Sequence, residues 1–148
     1  MTPLSEPERA AILEALNDEH LAWATYDQVL HDFGPIRPFL NIRAAEARHI
    51  GALEALCRRY AVPIPNNPWI GRVPRYDSIH DACLAGITAE IENAALYERL
   101  NAVTQHPDVL RVFHNLCSAS QQRHLPAFRR CASRGRDCGG NGPRTARG

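Results

Sequence analysis

Glu46-Ala47-Arg48-His49 sets a carboxylate and an imidazole three residues apart in a run that steps like a helix. Three residues are close to one turn, so both groups leave the same face, the geometry two ligands need to reach one metal ion. That face is otherwise apolar: Phe39, Ile42, Glu46, His49, Leu53, Leu56 and Tyr60 recur at alternating threes and fours. Burying an unpaired carboxylate costs several kcal/mol, roughly the whole stability of a small domain, so the stripe demands partners for Glu46.

Working outward, the spacing predicts a second helix over about 36–61, preceded by a first that ends near Phe33. Ser5 and Glu8 form a capping box with Pro7 in the first turn, and Gly34-Pro35 stops the helix. The buried stripe of helix 1 reads Leu16, Glu19, Trp23, Tyr26 and Leu30, again with a glutamate in the seam. So short a turn makes helices 1 and 2 antiparallel neighbours. Glu19 lies 14 residues before Phe33 and Glu46 lies 10 after Ile36. At about 1.5 Å per residue the two carboxylates sit roughly 21 and 15 Å from the same turn, so they can meet.

Residues 62–78, VPIPNNPWIGRVPRYDS, hold four prolines and no period. So long a connection is expected to cross the length of the bundle, with Trp69 pinning it. Helix 3 is expected after Ser78 to about Thr104, with Cys83, Gly86, Glu90, Asn93, Tyr97 and Leu100 as its stripe. Helix 4 opens at Pro107 and carries His114, Cys117, Gln121, His124, Phe128 and Cys131, with a bend at Pro126. The bundle is expected to fill 1–132, leaving 133–148 as a disordered Arg- and Gly-rich tail.

The halves also repeat. Aligning Glu19 with Glu90 pairs Leu16 with Ile87, Ala24 with Ala95, Tyr26 with Tyr97 and Asp27 with Glu98. Each half then ends on a polar residue three before a histidine: Glu46 and His49, Gln121 and His124. Glu19, Glu46, His49, Glu90 and His124 are therefore the candidate metal ligands. Carboxylate and imidazole donors suit iron, manganese or zinc.

The order Glu19, Glu46-x-x-His49, Glu90, Gln121-x-x-His124 resembles the ferritin-like di-iron carboxylate arrangement. The runs FGPIRPFLNIRAAEARHI, AEIENAALYERL and RHLPAF look like the uncharacterised domain-of-unknown-function family 2202, a branch related to rubrerythrin. The resemblance covers about residues 5–131. It implies an all-α, ferritin-like four-helix bundle of two hairpins joined by a long crossover, holding one or two transition-metal ions, iron first, with oxidase or peroxidase chemistry. Gln121 departs from the pattern by standing where it has a carboxylate, and is expected as a weak ligand or as a hydrogen-bond donor to the ligands. The alternative is a non-catalytic bundle whose metal-free polar cluster is internally bonded and which acts through protein interactions.

Composition narrows the rest. All 17 basic residues are arginine. Arg134, Arg136, Arg144 and Arg147 against Asp137 put about +3 in the tail, so the formal +1 leaves the body near −2 and predicts no nucleic-acid surface there. No apolar run approaches membrane length and the first twenty residues lack a secretory pattern, so a cytoplasmic protein is expected. Five cysteines without a Cys-x-x-Cys pair argue against a disulfide framework or zinc ribbon, and Cys57, Cys83, Cys117 and Cys131 read as small buried hydrophobes. A redox role would need an external electron donor, and a homo-oligomer is compatible with the chain.

Overall fold

The computed structural model describes residues 2–134, all helix, turn and loop without a strand. Helix α1 spans Glu6–Phe33. Its start is the capping box: Ser5 N–H donates to Glu8 Oε1 at 2.8 Å and Glu8 N–H to Ser5 Oγ at 3.2 Å. Its end is Gly34, at φ 91°, whose N–H donates to the Leu30 carbonyl. Helix α2 spans Phe39–Arg59, three residues later than the spacing predicts. Pro35 and Pro38 explain the delay, because a residue before proline is steered away from helical backbone.

Helix α3 spans Ile79–Asn101, capped by Ser78 Oγ accepting from Asp81 N–H, and α4 spans Pro107–Ala119. Ser120–His124 then form a single π turn, and a last helix, α5, continues over 125–134. The π turn ends two residues before Pro126. Proline brings no N–H and its ring presses on the carbonyl four residues back, so the widened turn absorbs what would otherwise be a broken α-helix.

α1 packs chiefly on α2, and α3 on α4 and the π turn; α1–α3 and α2–α4 contacts join the two hairpins into a bundle. The connection after α2 follows α1. Asn67 Nδ2 donates to the His20 carbonyl, Trp69 Nε1 to Asn17 Oδ1 at 3.1 Å, and Arg75 pairs with Asp32. Trp69 therefore pins this segment as the sequence suggests.

The core divides into two apolar clusters. One gathers Ile12, Leu16, Leu53, Leu100, Phe113 and Tyr97; the other gathers Tyr26, Val29, Phe39, Ile42, Phe128 and Cys83 with Cys131. Glu19, Glu46, Glu90 and His124 are buried yet belong to neither. The polar groups thus have apolar side chains packed on either side in the chain order of every helix.

The cysteine reading is corrected here. Cys83 and Cys131 form a disulfide between α3 and α5, with Cα atoms 6.0 Å apart, while Cys57 and Cys117 are buried and free. An odd count with no close pair says nothing about two cysteines 48 residues apart whose helices pack side by side. Among the described residues no helix is long and apolar enough to cross a membrane. Cys138 and the tail expected over 133–148 lie outside the described residues from 135 onward.

Candidate metal centre

Each ligand reaches the polar layer because its helix face is set by local spacing. Glu19 comes from α1, Glu46 and His49 from α2, Glu90 from α3, and His124 from the last position of the π turn. They fall into two groups of three, Glu19–Glu46–His49 and Glu46–Glu90–His124, with ligand atoms in each group within 4.8 Å of one another. Glu46 belongs to both.

His124 Nδ1 lies 3.1 Å from Glu46 Oε1 and 3.2 Å from Glu90 Oε1. In the other group the spacing is looser: His49 Nδ1 is 3.7 Å from Glu19 Oε2 and 3.8 Å from Glu46 Oε1. The two imidazoles stack, with ring centres 5.5 Å apart.

The outer oxygens are held by hydroxyls. Tyr97 O–H donates to Glu19 Oε1 at 2.7 Å, and Tyr26 O–H to Glu90 Oε2 at 2.6 Å. Each half's tyrosine therefore serves the other half's glutamate, which is how the internal repeat becomes structure. Ser120 O–H adds a contact to Glu90 Oε1 at 2.7 Å. Burial and the adjoining glutamates push both phenols well above their usual range, so they remain neutral donors.

Two buried atoms are left over: Glu19 Oε2 and His49 Nδ1 have no hydrogen-bond partner. Their 3.7 Å separation is too long for a hydrogen bond. It is a span that two bonds of about 2.1 Å to one ion would cover. Leaving such groups unsatisfied costs about 1–3 kcal/mol each, so a cation at this position answers a defect that protein atoms do not.

Protons take the place of that charge when no metal is bound. Burial, then the neighbouring Glu46 carboxylate, raises Glu19 to about 8. Burial works against ionising Glu46 as well, but the close approach of Glu19, His124 and His49 outweighs it and keeps Glu46 below the usual range. Burial likewise opposes a charge on either histidine, and the carboxylates overcome it: His49 rises to about 9 and His124 to about 10.

With this geometry in place, the chain can be set beside known proteins. It is similar to the uncharacterized protein MJ0754 of Methanocaldococcus jannaschii, 29% identical over 141 residues that cover 85% of this chain and 75% of the other. The fold is shared. A crystal structure of hypothetical protein MJ0754 superposes with a TM-score of 0.81 and 27% identity, over 90% of this chain and 84% of that one. No known family's sequence profile matches the chain. The likeness to MJ0754 thus supports the helical architecture, while the chemistry rests on the side chains.

Two residues of helix 4 are corrected. Gln121 is exposed and touches no ligand, and His114 is exposed as well. Cys117–Ser120–His124 satisfies the three-and-four rule as well as Cys117–Gln121–His124 does, and the π turn selects the first. Ser120 is the residue that sequence reading missed; the disturbance owed to Pro126 was the one local sign that helix phase would shift there. On α1, Trp23 is only half-buried beneath the Arg43 guanidinium, and Ala24 takes its expected place inside. His20, next to Glu19 on α1, is also buried. Cys117 Sγ approaches the Ala94 carbonyl, as a filler would.

Proposed function

We propose that this protein is a ferritin-like bundle, related to rubrerythrin, that holds two transition-metal ions and reacts with dioxygen or hydrogen peroxide. The observation that carries the reading is the pair of three-ligand groups sharing Glu46, with two buried donor atoms unanswered in one of them. The segment that follows α1 between α2 and α3 supports the crossover of that fold class.

In this reading Glu46 is shared, Glu19 and Glu90 are terminal carboxylates, and His49 and His124 each hold one ion. Three carboxylates would offset three of the four charges of two divalent ions. Bound iron would supply a redox-active Lewis acid; manganese and zinc suit the donors too. The chain's own residues do the rest. Tyr97 and Tyr26 orient the terminal carboxylates, Ser120 holds Glu90, and the apolar clusters keep bulk water from the layer. Beside Glu90 and Tyr26, a cavity of about 390 Å³ between α1, α3 and the connection gives a small molecule a way to approach.

Metal analysis of protein purified without chelator and loaded anaerobically with iron tests the proposal. Retention near two equivalents is expected; less than about a tenth of an equivalent of any transition metal overturns it. One observation favours the rival, a metal-free structural cluster: both Glu90 oxygens are already bonded. Glu19→Ala separates the two. Loss confined to metal content and metal-dependent melting supports a metal centre, whereas loss of stability in the metal-free protein supports the structural cluster.

A further inference from the structure

The Cys83–Cys131 disulfide lies on the two helical segments that carry Glu90 and His124. Cys83 is seven residues before Glu90 and Cys131 seven after His124. Seven residues are two turns, so the disulfide repeats the contact between Glu90 and His124 one rung away, about 10 Å along the axis. Phe128 fills the interval. Its ring seats directly on Gly86, where an added methyl would stand 2.7 Å from Phe128 Cδ1. It also lies 5.2 Å from the Tyr26 ring, whose hydroxyl donates to Glu90. Cys83, Phe128, Tyr26 and Glu90 are all buried. Sulfur, aromatic ring and phenol therefore lie in buried succession, within one apolar cluster, between the cysteine pair and Glu90.

We infer that Cys83 and Cys131 are the internal electron donor for the metal centre, the disulfide being the spent form of a dithiol that reduces hydrogen peroxide. The inference rests on the metal-centre reading above. It fills a gap in it, since peroxide reduction consumes two electrons. Cys57 and Cys117 are each unpaired, so among the described residues no other cysteine pair packs against the site. The balance closes. Two S–H bonds and the O–O bond break, while one S–S bond and two O–H bonds form. The sulfur pair loses two electrons, the peroxide oxygens gain them, and the two thiol protons end on the two waters. Two small thiols then restore the dithiol by successive exchange through a mixed disulfide and leave as their own disulfide, their two protons passing to Cys83 and Cys131.

The test uses the full chain, which carries five cysteines. Protein reduced with a phosphine and freed of it is divided into metal-free, zinc-loaded and anaerobically iron-loaded portions, with retained metal measured in each. One equivalent of hydrogen peroxide is added, thiols are alkylated at intervals, and peptide mass spectrometry reads the Cys83–Cys131 link. The link is expected to form at least tenfold faster in the iron-loaded portion than in the other two, reaching one per peroxide added. In Cys83→Ser, iron retention is expected to be unchanged, and the iron oxidised by peroxide is expected not to return to the ferrous state. Iron retained with a rate no greater than in the zinc-loaded protein overturns the inference and leaves the metal-centre reading standing. A chain that retains no iron overturns both.

Discussion

The two halves of the polar layer share Glu46 and a repeated residue pattern, yet they are finished differently. Around Glu90 and His124 every donor distance is 3.2 Å or less, and Ser120 and Tyr26 close the remaining valences. Around Glu19 and His49 the distances lengthen to 3.7 and 3.8 Å and two buried atoms stand unpaired. The first half can hold itself together with protons and hydroxyls. The second half leaves Glu19 Oε2 and His49 Nδ1 without a protein partner. Hydrogen bonds and metal bonds compete for the same lone pairs, so the half with fewer of the former is the better guide to the latter.

The sharpest way to break this comparison is to remove one histidine at a time. His124→Ala strands Glu46 and Glu90 in the interior, and removing one partner of a buried ionic set costs about 3–5 kcal/mol. His49→Ala removes an imidazole that makes no hydrogen bond, so about 1 kcal/mol is expected in the metal-free protein. Each variant should lose one ion. Denaturant unfolding of the metal-free proteins, beside metal analysis of the loaded ones, reads both effects; equal destabilisation would erase the distinction.

Next in size is the response to alkali. Glu19 near 8, His49 near 9 and His124 near 10 are all raised above their unfolded values. Groups raised in this way contribute stability that is fully present below their unfolded pKa values and is lost as pH rises through the folded ones. Metal-free protein is therefore expected to melt lower at pH 10 than at pH 7. Metal displaces these protons, so loading at pH 7 should release protons and the loaded protein should lose less on going to pH 10. Calorimetry in two buffers of different ionisation enthalpy counts the release.

Smaller effects sharpen the same contrast. Tyr26→Phe and Tyr97→Phe each remove a hydrogen bond to a buried carboxylate, worth about 1.5–3 kcal/mol where the acceptor is charged. Because Glu90 keeps Ser120 whereas Glu19 keeps only Tyr97, Tyr97→Phe is expected to lower iron retention more than Tyr26→Phe. Smallest of all is Gln121→Ala. An exposed side chain away from the site should change stability by less than about 0.5 kcal/mol and leave metal content unaltered.

How much was legible in advance follows from the range of the interactions. The caps of α1 and α3, the stop at Gly34 and the inward faces carrying Glu19, Glu46, His49 and Glu90 depend on neighbours within a turn or two. Helix period and capping chemistry therefore reveal them. The repeat also announced two matched tyrosines, though not that each would serve the opposite half. Where reading failed, two local solutions were equally good: Ser120 and Gln121 both fit the stripe, and Trp23 and Ala24 both neighbour the seam.

The chain order alone thus determined four helical runs and the acidic and imidazole members of a buried polar layer, because a carboxylate recurring on an apolar helical face is a local fact with an unavoidable energetic cost. Tertiary structure alone decided the phase of the helix after the π turn, the exchange of tyrosines between halves and the joining of Cys83 to Cys131. Those depend on which backbones pack together across 48 or more residues, and no periodicity within one helix encodes that distance.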